Sequence, residues 1–124
     1  MNKQRPVNLD LRKFHFPLPA ITSILHRVSG ILIFIGMAFL LYWLDLSLSG
    51  EEGFAEVRSI MEGFFARLVA WGILSALAYH LVAGVRHILM DAGIGESLEG
   101  GRLGAKLVIA ISVVLIVLLG VWIW

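Results

Sequence analysis

The sequence contains no cysteine, and this absence excludes several kinds of chemistry. Without thiols the chain cannot form a disulfide framework, ligate an iron–sulfur cluster or carry a CxxC redox motif. Haem is not excluded, because histidine can hold its iron and the chain has four histidines. Any redox group bound by this chain is therefore expected to use imidazole rather than thiolate.

Charged side chains are also scarce, at 15% of the chain, while hydrophobic residues make up 59%. Soluble domains average about 25% charged and about 45–50% apolar residues. The apolar excess is concentrated in three blocks, which indicates an integral membrane protein with no room for a separate soluble domain. We expect membrane lipid around it and no nucleic acid as a partner.

The three apolar blocks predict an all-α protein with transmembrane helices at about 24–46, 64–90 and 103–124. Each exceeds the ~20 residues needed to cross the hydrocarbon core. Residues 1–23 are predicted to be a polar tail without a signal peptide, and residues 24–124 the transmembrane domain. An amphipathic helix is expected in the first loop, at 52–61. Tryptophans mark the predicted membrane interfaces at Trp43, Trp71, Trp122 and Trp124.

Basic residues are unevenly distributed along the chain. Five of the ten precede or open the first span, and three flank the loop between the second and third. The first loop has only Arg58 and Arg67 and is otherwise acidic. The positive-inside rule then predicts a cytoplasmic N-terminus and a periplasmic C-terminus.

One polar face interrupts the second span. At about 100° per residue, His80, Gly84, His87 and Asp91 fall within roughly 60° of one helix face. Ionisable side chains at membrane depth are expensive and usually face a partner or cofactor. The predicted orientation brings this face to the same membrane side as the start of the first span.

That first-span segment adds a hydroxyl, an imidazole and a guanidinium, from Ser23, His26 and Arg27. Ser23 could donate a hydrogen bond to a quinone carbonyl, and Arg27 could stabilise a transient anion. His87 or Asp91 could relay protons from the cytoplasm. The two segments together predict a quinone site at this interface.

The same region offers the groups that haem requires. His80 could ligate the iron, and Gly84 would let a flat macrocycle approach the backbone. Cationic groups for the propionates could come from His26, Arg27 and His87; Arg86 points away from the His80 face. Only His80 is deep in a span, so a haem with two histidine ligands would need its second ligand from another subunit.

Simpler interpretations remain open for each residue. His80 could hydrogen-bond to a neighbouring helix, and Gly84 could be a packing residue. Ser23 could be a helix N-cap. Asp91 could cap a helix or pair with Arg86.

Two motifs in order carry a family resemblance across nearly the whole chain. The chain resembles the cytochrome b subunits of bacterial succinate dehydrogenase, the larger membrane anchors of complex II. The motifs are Arg5-Pro6-Val7 followed by Ser23-x-x-His26-Arg27-x-Ser29-Gly30, and His80-x-x-x-Gly84-Val85-Arg86-His87-x-x-Met90-Asp91-x-Gly93.

The resemblance implies that His80 is an axial ligand of haem b, with the second ligand supplied by a smaller anchor subunit in a heteromeric helix bundle. Ser23 and Arg27 match positions that line the ubiquinone pocket, and His26 and Arg27 match positions near the propionates. The implied partners are that anchor, an iron–sulfur subunit and a flavoprotein that oxidises succinate, a reaction for which this chain has no site of its own.

The predicted function is therefore a membrane anchor of succinate:quinone oxidoreductase in the bacterial inner membrane. It would pass electrons from the tricarboxylic acid cycle to ubiquinone. Two alternatives remain: a fumarate reductase-type anchor working with menaquinone, and a structural anchor without haem. A stand-alone transmembrane cytochrome is disfavoured, because it would need at least two deep histidines in one chain.

Overall fold

Four α helices make up the computed structural model, which describes residues 15–124. They are α1 (Leu18–Leu48), α2 (Glu51–Met61), α3 (Phe64–Asp91) and α4 (Leu98–Ile123), and no strand occurs among these residues. Helices α1, α3 and α4 are each long and apolar enough to cross a bilayer. The prediction of an all-α membrane protein with three spans is confirmed.

Helix α3 is the centre of the bundle and packs against both α1 and α4. Two hydrogen bonds set its antiparallel register with α4. Trp71 Nε1 donates to the Ile116 carbonyl at 2.9 Å, and Arg86 Nη2 donates to the Gly101 carbonyl at 3.1 Å. Small residues let the helices approach, as is usual in membranes. The buried ones include Gly36, Ala76, Ala83, Gly101 and Ala105.

Two helices begin earlier than the predicted spans. Helix α1 starts at Leu18 after Pro17, and α4 starts at Leu98, where the Ser97 hydroxyl accepts a hydrogen bond from Gly100 N at 3.0 Å. Hydropathy marks where a long, nearly continuous apolar run begins, whereas each helix starts about one turn or more before that run. Ser23 therefore lies inside α1, so its interpretation as an N-cap is wrong.

The first loop contains the expected amphipathic helix, α2, at Glu51–Met61. Gly50, with φ of 144°, adopts a backbone conformation that favours glycine and joins α1 to α2. Residues 1–14 make up most of the predicted N-terminal tail and include Arg5-Pro6-Val7. These residues lie outside the part of the chain that the structure describes.

A cluster of hydrogen bonds ties the first turns of α1 to the rest of the bundle. The Thr22 side chain is only 1% exposed. Tyr79 Oη donates to the Thr22 carbonyl at 2.6 Å, and Arg86 Nη1 donates to the Thr22 hydroxyl at 3.0 Å. Because Arg86 also bonds to α4, this cluster determines how α1 is placed against both other spans.

Candidate functional site

His80 lies in the middle of α3 and is held by the backbone and a hydroxyl of α1. Its Nδ1 lies 3.0 Å from the His26 carbonyl oxygen and 3.0 Å from Ser29 Oγ. The Ser29 hydroxyl donates its own hydrogen to the same carbonyl at 2.8 Å. Since a carbonyl only accepts, we infer that Nδ1 carries the ring proton and that Nε2 keeps its lone pair.

Ser29 and Gly30 together form the surface of α1 on which His80 packs. Ser29 is buried, and a Cβ added at Gly30 would lie 3.2 Å from His80 Cε1. Both residues lie in the motif that begins at Ser23, but the sequence alone did not indicate a role for either. The available signal was a hydroxyl followed by a glycine, placed in the span that faces a deep histidine.

Three imidazoles meet between α1 and α3, and we call His26, His80 and His87 the histidine cluster. The rings of His26 and His80 stack with centroids 4.0 Å apart and planes 10° apart. The His26 and His87 rings are tilted by 57°, with centroids 5.0 Å apart. All three residues are half-buried. The predicted proximity of these α1 and α3 residues is therefore present in the fold.

The gap expected at Gly84 is filled in this structure by His26. A Cβ added at Gly84 would lie 3.7 Å from His26 Nε2, which is ordinary contact distance. The space beside Gly84 is thus occupied by an imidazole of the same chain, at a distance that would also accommodate a Cβ.

Ser23 and Arg27 occupy neighbouring turns of α1, and the structure does not bring them against His80 or His87. Ser23 is half-buried and Arg27 is exposed. Both lie on the side of α1 turned away from the Ser29 position that contacts α3, by roughly 120–160° at 100° per residue. This side is open to a partner or a ligand.

Arg86 and Asp91 do not pair, so that interpretation is wrong. The Arg86 guanidinium turns instead to Thr22 and Gly101, while Asp91 is exposed at the end of α3. Arg86 thus lies away from the histidine cluster, as helical facing predicts.

No three potential ligands among His, Cys, Asp and Glu converge on a metal position within residues 15–124. The donor set fits a metal that needs a single ligand from this chain, because His80 Nε2 has a lone pair while Nδ1 holds the hydrogen bond to α1. Metal-ligating histidines usually donate their other ring N–H to a carbonyl in this way. The residues therefore fit haem iron.

Known proteins resemble the whole chain. A succinate dehydrogenase cytochrome b556 subunit of Coxiella burnetii is 46% identical, covering 100% of both chains. Proteins of the same name from Paracoccus denitrificans and Rickettsia felis are 35% and 31% identical, covering 92% and 95% of this chain and 88% and 92% of theirs. The family described as succinate dehydrogenase/fumarate reductase transmembrane subunit matches residues 1–119. The chain belongs to this family of multi-pass membrane subunits.

Proposed function

We propose that this chain is the haem b- and quinone-binding membrane anchor of a succinate:quinone oxidoreductase. The observation that carries the proposal is the hydrogen bonding of His80, which leaves one imidazole nitrogen free for iron. The name cytochrome b556 subunit, borne by its relatives, agrees with a haem-binding role.

His80 Nε2 would ligate the haem iron, together with a histidine of a second small anchor subunit. Three groups could pair with the propionates. The imidazoles of His26 and His87 belong to the same cluster as His80, and Arg27 follows His26 in sequence. A haem macrocycle lying over Gly84 would have to share that space with the imidazole of His26. When bound, haem supplies a one-electron redox centre within the bundle.

The quinone site uses the outward side of α1. Ser23 would donate a hydrogen bond to a ubiquinone carbonyl, and Arg27 would stabilise negative charge as electrons arrive. His87 and Asp91 would supply protons from the aqueous end of α3. The electrons would come from succinate through a flavoprotein and an iron–sulfur subunit, and two electrons and two protons convert the quinone to the quinol.

This site lies at the membrane side where α1 and α4 begin and α3 ends. The basic residues before α1 and around the α3–α4 loop favour the cytoplasmic side of the bacterial inner membrane for that end. The N-terminus would then be cytoplasmic and the C-terminus periplasmic.

The decisive experiment replaces His80 by alanine in the purified complex. We expect haem loss or a changed reduced-minus-oxidised spectrum, because the variant lacks the imidazole whose Nδ1 is held by α1 and whose Nε2 is free for iron. His15→Ala, which changes an exposed histidine before α1, is the matched control. An unaltered haem b spectrum in His80→Ala would refute ligation by this residue, and a wild-type complex without haem would favour the structural anchor.

A fumarate reductase-type anchor is the second candidate, because the matching family includes both enzymes. The three relatives described above are all named for succinate dehydrogenase, which favours the first. Quinone extracted from the purified complex distinguishes them, since ubiquinone supports the first and menaquinone the second.

A further inference from the structure

An apolar groove of about 540 Å³ lies between α3 and α4, away from the histidine cluster. On α3, the groove residues Val85 and Leu89 lie roughly 140° and 180° around the helix from His80. On α4 the groove extends from Gly100 to Ile111, a length of about 16 Å at 1.5 Å per residue. This is about half of the ~30 Å hydrocarbon core, the depth of one lipid leaflet.

Of the charged side chains among residues 15–124, Arg86 alone lines the groove. Within residues 15–124 its guanidinium donates to the Thr22 hydroxyl and the Gly101 carbonyl, which are both neutral. These bonds use two of its five N–H groups. A half-buried cation in apolar surroundings is stabilised by an anion, and the partners that the fold provides do not supply one.

Further cations lie on the same end of α4. Arg102 and Lys106 are both exposed. At about 100° per residue, Lys106 lies roughly 60° around α4 from the groove residue Leu103, whereas Arg102 lies on the side of α4 away from the groove. In the described part of the chain, the acidic side chains of this end are exposed and none lines the groove; they are Asp91, Glu96 and Glu99. The groove therefore combines a long apolar surface with positive charge at its membrane-surface end.

We propose that this groove binds one anionic phospholipid. Its phosphate pairs with Arg86, with Lys106 adding attraction from the rim, and one acyl chain lies along Leu107 towards Ile111. Basic pockets between transmembrane helices are suited to anionic headgroups. The site is on the opposite side of α3 from the histidine cluster, and it does not depend on haem or quinone binding.

The test is native mass spectrometry of the purified, delipidated complex titrated with phosphatidylglycerol or phosphatidylcholine of identical chains. We expect one tightly bound lipid, with about tenfold preference for phosphatidylglycerol, because both lipids carry a phosphate but the choline ammonium cancels its charge and is repelled by the cations of the site. Leu107→Trp should fill the groove and abolish this binding. Leu118→Trp, at a similarly exposed site on α4 outside the groove, is the matched control and should retain it.

Arg86→Gln tests the contribution of the lipid headgroup separately from that of the acyl chain. This variant should lose most of the preference for phosphatidylglycerol, because the guanidinium supplies most of the charge selectivity. If Arg86→Gln fails to assemble, Leu107→Trp and Lys106→Gln still test the proposal. Lys106→Gln should partly reduce the preference for phosphatidylglycerol. Two binding results would overturn the proposal: retained lipid in Leu107→Trp, or equal binding of the two lipids to wild type. Displacement of the lipid by inorganic phosphate, or a partner helix crosslinked into the groove, would overturn it as well.

Discussion

At the scale of single residues, the chemistry of His80 depends on two neighbours in α1. The His26 carbonyl can only accept a hydrogen bond, and this determines which ring nitrogen carries the proton. Ser29 and Gly30 then set the position of the ring. A ligand histidine needs both conditions, because the iron-binding nitrogen must be unprotonated and the ring must be held in place.

Gly30→Leu should displace the imidazole of His80, since even a Cβ at this position would lie 3.2 Å from Cε1. We expect haem occupancy of the purified complex to fall about tenfold, which corresponds to about 1.4 kcal/mol of lost binding. Gly72→Leu is the matched control, because a Cβ there meets open space. Full haem content in Gly30→Leu would show that this packing does not position the ligand.

Ser23→Ala and Arg27→Gln should slow quinone reduction while succinate oxidation with a soluble dye persists. Losing a hydrogen bond to a charged group costs about 1.5–3 kcal/mol, so the Arg27 variant should lose at least about tenfold in rate. The control is Arg58→Gln, which removes an exposed arginine of α2. Unchanged quinone kinetics in both site variants would count against this location of the quinone site.

At the scale of helices, α3 organises the bundle through polar side chains rather than through a large apolar core. Most large apolar residues of the described chain are exposed, as expected for surfaces that meet lipid or partner helices. Tyr79 and Arg86 instead anchor α1 through Thr22, and Trp71 anchors α4. A Cβ at Gly120 would lie 3.2 Å from Trp71 Nε1, so this glycine makes space for the indole.

Tyr79→Phe should destabilise the α1–α3 contact by about 1 kcal/mol, because it removes the hydrogen bond to the Thr22 carbonyl. The measurement is the thermal unfolding midpoint of the detergent-purified complex, which should decrease. Tyr42→Phe changes an exposed tyrosine of α1 and should leave the midpoint unchanged. Equal midpoints for Tyr79→Phe and wild type would show that this bond contributes nothing measurable.

At the scale of the whole molecule, the bundle has two distinct ends. The end with the histidine cluster and Arg86 combines polar groups from α1 and α3, while the other carries the acidic amphipathic helix α2 and an aromatic group of Phe64, Trp71 and Trp124. This asymmetry matches a subunit that carries out its chemistry near one membrane surface.

The absence of cysteine makes the orientation directly measurable in whole cells. A cysteine introduced at exposed Ser49, between α1 and α2, should react with a membrane-impermeant thiol reagent added outside the inner membrane. A cysteine at exposed Glu96, between α3 and α4, should react only after the membrane is opened. The reverse pattern would invert the proposed topology.

The sequence by itself determined that the chain crosses the membrane three times and that one deep histidine faces a polar segment of the first span. Hydropathy, spacing and isolated polar residues are local properties, so they can be seen without coordinates. The amphipathic helix α2 and the outward direction of Arg86 relative to His80 followed in the same way.

Only the tertiary structure decided which glycine meets His80, which ring nitrogen is free, and that Arg86 bonds to Thr22 and Gly101 rather than to Asp91. These features depend on the rotation and depth of each helix against its neighbours. Shifting one helix by a single residue rotates each side chain by about 100°, and periodicity alone does not determine that shift between helices.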